Sequence, residues 1–98
     1  MDRTARIRID KWLWHARFFK TRALAARAAE GGHIRLNGQR VTKPAHLVGP
    51  GDMLTLPGAG GVRLVRVLAV GIRRGPAPEA QTLYDEEAGG AAGPVPKA

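Results

Sequence analysis

Catalysis needs a nucleophile or a tuned acid–base pair, and this chain offers little of either. Its 98 residues include no cysteine and no serine, which removes thiol and seryl nucleophiles, disulfides and cysteine-bound zinc. His15, His33 and His46 are scattered without the spacing of metal ligands. The adjacent carboxylates Asp85, Glu86 and Glu87 fall in a polar C-terminal stretch where nothing would tune them for proton transfer. The glycine-rich stretches at 49–51 and 58–61 complete neither a dinucleotide fingerprint nor a phosphate-binding loop, and each falls where a small sheet needs a turn. The sequence therefore predicts a protein that is not an enzyme and needs no cofactor or metal.

What remains is the chemistry of cations and aromatic rings. Sixteen Lys and Arg against eight Asp and Glu give a net charge of +8. The excess is uneven: residues 1–43 carry a net +8, residues 44–75 a net +3 and residues 76–98 a net −3. A polyanion should meet the first half of the chain. There Lys11, Trp14, Arg17 and Phe18 lie opposite or beside an apolar helical stripe, and Lys20, Thr21 and Arg22 continue the basic run. Rings among cations suit looped or single-stranded RNA, where bases stack and phosphates pair. The competing reading packs Trp14 and Phe18 against a sheet or against Leu83 and Tyr84. Further on, Arg35 and Arg40 flank Asn37-Gly38, and His33 opens the same segment. Asn37 read by itself is a turn residue.

These groups need positioning elements. Ile9, Trp12, Leu13 and Ala16 share one side of a 3.6-residue wheel, which predicts a helix over 10–18 with Asp10 as its N-cap or first-turn acid. Thr21 is placed to cap a second helix over 22–30, with Leu24, Ala25 and Ala28 inward and Gly31-Gly32 as its stop. The period then changes to two. Ile34 and Leu36 alternate with Arg35, Asn37-Gly38 reads as a tight hairpin turn, and Gln39–Val41 resumes. A strand is predicted at Met53–Leu56, a turn over 57–61, and a long strand over 62–72. In that last strand Arg63 and Arg66 break the alternation and suggest a bulge or an edge. The organisation predicted is a basic lead-in over 1–7, a domain over 8–75 and a tail over 76–98. The tail is acidic, then Gly/Pro-rich, with 88–98 disordered. The fold class is α+β, two short helices packed on a small, mostly antiparallel sheet.

Arg8-Ile9-Asp10-Lys11-Trp12-Leu13, Arg17, Lys20-Thr21-Arg22, Ala25, Gly31 through Gly38 and Gly51-Asp52 stand in an order that resembles the S4 RNA-binding domain. The resemblance covers about residues 8–56. Lys11-Trp12-Leu13-Trp14, Arg17 through Arg22, and Arg73 through Ala80 followed by Leu83-Tyr84 resemble, within that superfamily, the bacterial heat-shock protein 15 family. The resemblance implies binding to ribosomal RNA of the dissociated large subunit, with peptidyl-tRNA as a possible further contact, in rescue or recycling of stalled subunits. It implies an RNA surface of Arg8, Lys11, Arg17, Lys20, Thr21, Arg22, Arg35 and Asn37. To these the residues themselves add Trp14, Phe18, His33 and Arg40. The family's long basic C-terminal extension has no counterpart in the acidic, then Gly/Pro-rich tail.

Two other readings remain open on sequence. One is the RNA-binding appendage, or a fragment, of an RNA-modifying enzyme such as a pseudouridine synthase. The other is a small DNA-binding or membrane-surface protein, though the first helix is too short for a good membrane-surface helix. No apolar run reaches the ~18–20 residues of a membrane span, and no signal-peptide core follows the N-terminus. A cytoplasmic monomer is expected.

Overall fold

In the computed structural model, residues 5–58 and 60–87 are described. The elements run β1 (Ile7–Arg8), α1 (Ile9–His15), α2 (Arg22–Glu30), β2 (Ile34–Leu36), β3 (Gln39–Val41), β4 (Leu47–Val48), β5 (Met53–Gly58), β6 (Gly61–Val67), α3 (Ala77–Ala80), a 3₁₀ turn (Gln81–Leu83) and β7 (Tyr84–Glu87). Five strands form an antiparallel sheet in the order β3-β2-β5-β6-β7, and β1 pairs separately with β4. The α+β architecture is the one expected.

The apolar stripe of α1 does what its period requires. Ile9, Trp12, Leu13 and Ala16 are buried, and they meet Ala25 and Ala29 of α2 and Ile34, Leu54, Leu56, Val65 and Val67 of the sheet in one core. The Trp12 indole N–H donates to the Ala69 carbonyl at 2.8 Å, so its polar edge is satisfied where the ring is fully buried.

Both helices end in the same device. At the end of α1 the Phe18 N–H reaches the Leu13 carbonyl and the Arg17 N–H reaches Trp14. At the end of α2 His33 reaches Ala28 and Gly32 reaches Ala29 in the same pattern, which is the Schellman arrangement. It requires a left-handed residue. Gly32 supplies φ +76 without strain, whereas at the first stop Arg17 takes φ 66, a conformation that costs an L-residue about 1–2 kcal/mol.

Several expectations need correcting. Helix α1 stops at His15, not at residue 18, and Arg8 occupies its capping position, whereas Asp10 is the first-turn acid that one of its two readings made it. Leu24 is 44% exposed, and Ala29 takes the inward place assigned to it. Ile7 is already paired with Val48. The turn expected over 57–61 is tighter, because Pro57 and Gly58 pair with Val62 and Gly61; Ala59 lies outside the described residues. Strand β6 ends at Val67 and lies between β5 and β7 with continuous register on both sides, so it is neither bulged nor an edge. Its arginines break the alternation because acidic partners on β7 receive them. Residues 77–87, assigned to the tail, form α3, the 3₁₀ turn and the strand β7, with Ala80 and Leu83 buried. The expected disorder over 88–98 falls outside the described residues.

Candidate nucleic-acid interface

On α1 the buried residues leave Lys11 and Trp14, three apart and hence neighbours on the helix surface, as the half-buried outward pair. Between β1 and α2 stands Asp10, its side chain only 3% exposed. Arg8 Nε and Nη2 donate to its two oxygens at 3.1 and 3.0 Å, and Arg22 Nε lies 3.6 Å away. This hydrogen bond, then the carboxylate's charge, raises the Arg8 pKa above its ordinary value. One carboxylate between two guanidinium groups leaves a net positive charge. It also fixes Arg8 and Arg22 against each other.

The junction between the helices is built by the Arg17 turn. Arg17 follows α1 in the left-handed stop, and its Nε donates to the Gly75 carbonyl at 2.6 Å. Lys20 is exposed. Thr21 caps α2, its hydroxyl oxygen accepting the Leu24 N–H at 3.1 Å, as expected. The first turn of α2 holds no acid. Cations at a helix N-terminus oppose the macrodipole, so Lys20 and Arg22 stand where the fold alone would favour carboxylates.

The hairpin has the expected two-residue turn, with Asn37 at φ 52 and Gly38 at φ 88, the pair of positive values that matches strand twist. Asn37 does more than turn. Its carboxamide oxygen accepts the Met53 N–H at 2.9 Å and its amide donates to Asp52 at 3.2 Å, fastening the hairpin to β5. Arg35 stands directly opposite Arg40, a like-charge pair that destabilises a bare sheet. The Arg40 stem crosses Gly32, where an added Cβ would come within 3.0 Å of it, and the His33 ring lies over Gly31 in the same way. A depression of about 330 Å³ beside them is lined by Leu36, Asn37, Gln39, Arg40, Val41 and His46.

The expected residues thus fall into two groups at the two ends of α2, which at 1.5 Å per residue is about 13 Å long. Arg8, Arg17, Lys20, Thr21 and Arg22 are at its start, with Lys11 on the adjoining α1; His33, Arg35, Asn37 and Arg40 are at its end. Phe18 is half-buried and packs against the core. Its ring packs 4.6 Å from Tyr84 and 5.9 Å from Trp12, with Arg63 4.9 Å above it, so the packing alternative holds for Phe18. Trp14 lies outside the core cluster. Lys11, Arg17, Lys20, Arg35 and Arg40 have no carboxylate within 4.0 Å among the described residues, whereas Arg63, Arg66 and Arg73 pair with Glu86, Glu87 and Glu79. Sequence reasoning missed Arg74, whose guanidinium lies 5.8 Å from the Trp14 ring; nothing local in the sequence ties the two. No group of three or more metal-ligating side chains occurs among the described residues.

The fold is that of an S4-domain protein, and the S4 domain model matches residues 7–54. Heat shock protein 15 of Escherichia coli K12 is 50% identical over 82 residues, covering 84% of this chain and 61% of that protein. The trimeric structure of Vibrio cholerae heat shock protein 15 superposes with a TM-score of 0.80 at 44% identity, covering 87% of this chain and 85% of that one. The small ribosomal subunit protein uS4 of Methylobacterium nodulans is 43% identical over 47 residues, 48% of this chain and 23% of its own. The chain belongs to the heat shock protein 15 family. It spans 61% of the length of the Escherichia coli relative.

Proposed function

We propose that this protein binds structured RNA through the cationic face at both ends of α2 and so associates with the ribosome. The observation that carries the reading is the lack of any carboxylate within 4.0 Å of Lys11, Arg17, Lys20, Arg35 and Arg40 among the described residues. An array of unneutralised cations weakens a fold by self-repulsion and is relieved by a polyanion. Family membership and the likeness to a ribosomal protein support RNA as that polyanion. In the finer reading the target is ribosomal RNA of the dissociated large subunit, with peptidyl-tRNA within reach, and the task is rescue of stalled subunits. Its part is binding without chemistry of its own. Within the face Arg8 and Arg22 are held in register by Asp10, Thr21 fixes the junction, and Asn37 fixes the hairpin that presents Arg35 and Arg40.

Gradient sedimentation of the tagged protein with dissociated subunits tests this. It should travel with the large subunit; remaining at the top of the gradient, or following the small subunit, contradicts it. The free protein is proposed to be a monomer. The Vibrio relative is described as trimeric, so sedimentation equilibrium of the free chain decides between the two.

A further inference from the structure

The stretch 68–76 between β6 and α3 lies beyond the S4 match, yet it is pinned to α1 at several points. Ala69 accepts the Trp12 indole N–H at 2.8 Å, Val70 O lies 3.1 Å from His15 Nδ1, and Gly75 accepts from Arg17 at 2.6 Å. The N–H groups of Leu68 and Ala69 both reach the Leu83 carbonyl. Gly71, at φ +77, passes so close to Leu83 that an added Cβ would lie 3.0 Å from its side chain. A segment tied down in this way delivers its side chains to fixed places.

Of its two adjacent arginines, Arg73 is spent: two of its nitrogens reach Glu79 at 3.1 and 2.6 Å. Arg74 has no carboxylate within 4.0 Å among the described residues. Its Nη2 donates to the Phe19 carbonyl at 3.4 Å, its Nε is buried with no partner among the described residues, and its guanidinium lies against Trp14. Of the four aromatic rings Trp12, Trp14, Phe18 and Phe19, Trp12 lies in the core and Phe18 and Phe19 pack against it, whereas Trp14 is in neither group and shares the outward face of α1 with Lys11.

We infer that Trp14 and Arg74 form a nucleotide subsite in which an unpaired RNA base stacks on the indole while Arg74 and Lys11 meet its flanking phosphates. The chemistry selects for an unpaired base, because bases inside a helix offer no free plane to a ring. It is tolerant of base identity, since every base has a π-face. This subsite rests on the RNA reading above and extends that surface beyond the S4 domain itself.

The test compares one RNA duplex of two separate strands in blunt form and with a short single-stranded overhang, measuring affinity by anisotropy and Trp14 by fluorescence, with the buried Trp12 as a constant background. The overhang form should bind roughly 5- to 160-fold tighter, by the value of one stacked base, and should quench emission. Trp14→Ala and Arg74→Ala should each erase most of that preference while leaving blunt-duplex affinity nearly unchanged, and Trp14→Phe should restore part of it. Melting curves accompany each variant. If Trp14→Ala and Arg74→Ala retain the overhang preference, or if Trp14→Ala weakens both probes equally with a lowered melting temperature, the subsite is wrong and Trp14 is structural. If the unaltered protein binds neither probe, the RNA reading beneath it fails as well.

Discussion

The arginines of β6 and those of the β2–β3 hairpin occupy one sheet and live under opposite rules. Arg63 forms a two-pronged bond to Glu86 at 2.8 and 2.7 Å across neighbouring strands, and Arg66 lies 3.7 Å from Glu87. Glu86 raises the Arg63 pKa chiefly through that hydrogen bond, and Arg63 lowers that of Glu86 in return. Arg35 faces Arg40 instead. In the first region cations are used by the fold; in the second the fold tolerates them. Composition alone does not make that distinction, because both regions read as basic. What separates them is whether the neighbouring strand supplies an acid.

Charge reversal is the strongest way to break this contrast. Lys20→Glu with Arg35→Glu removes one free cation at each end of α2, and RNA affinity should fall at least about 100-fold at low salt. Lys20→Glu puts an acid at the start of α2 and Arg35→Glu gives Arg40 an opposite charge across the strands, so the melting temperature should hold or rise slightly. A binding isotherm and a thermal melt on the same sample check both halves. On the other side, Arg63→Ala removes an exposed ion pair and a cation over the Phe18 ring. It should cost about 0.5–1 kcal/mol in denaturant unfolding while RNA affinity changes by less than about twofold. A large loss of RNA binding there would erase the distinction.

The smallest effect is one of pH. Glu79 and Glu86 are held below the ordinary carboxyl value of 4.5 by hydrogen bonds from Arg73 and Arg63. A depressed carboxyl contributes stability fully above its unfolded value and loses it as pH falls through the folded one. The stability of Glu86→Gln relative to the unaltered protein should therefore be constant from pH 7 to 5. The gap should close only below about pH 4.5, as seen by unfolding at each pH.

Much of this was legible in the sequence where a local rule decides the outcome. Thr21, Gly31-Gly32 and Asn37-Gly38 act through their own backbone geometry, and each is where its residue type predicts. The apolar stripe of α1 was equally plain. The end of that helix was not, because an arginine in a left-handed stop leaves no local signal where a glycine would. Strand β7 was hidden for a different reason. Tyr84 through Glu87 read as an acidic tail, and only Arg63 and Arg66, some twenty residues earlier, make those carboxylates a paired strand. The same long range conceals Arg74 beside Trp14. Asp10 was visible as a helix-start acid, but its hold on both Arg8 and Arg22 depends on how α1 meets α2. Of the site, the residue types could be read early; which cations lack a partner could not.

The most direct test of that division is the salt dependence of RNA binding. Free cations that meet phosphates release counterions, so log K should fall linearly with log salt. Roughly four to seven contacts give a slope of about −3 to −6. Lys20→Ala should flatten the slope by about one unit, while Arg66→Ala, whose charge is engaged by Glu87, should leave it unchanged. A salt-independent affinity, or an equal flattening by both substitutions, would contradict the claim that unpaired cations form the RNA-binding face.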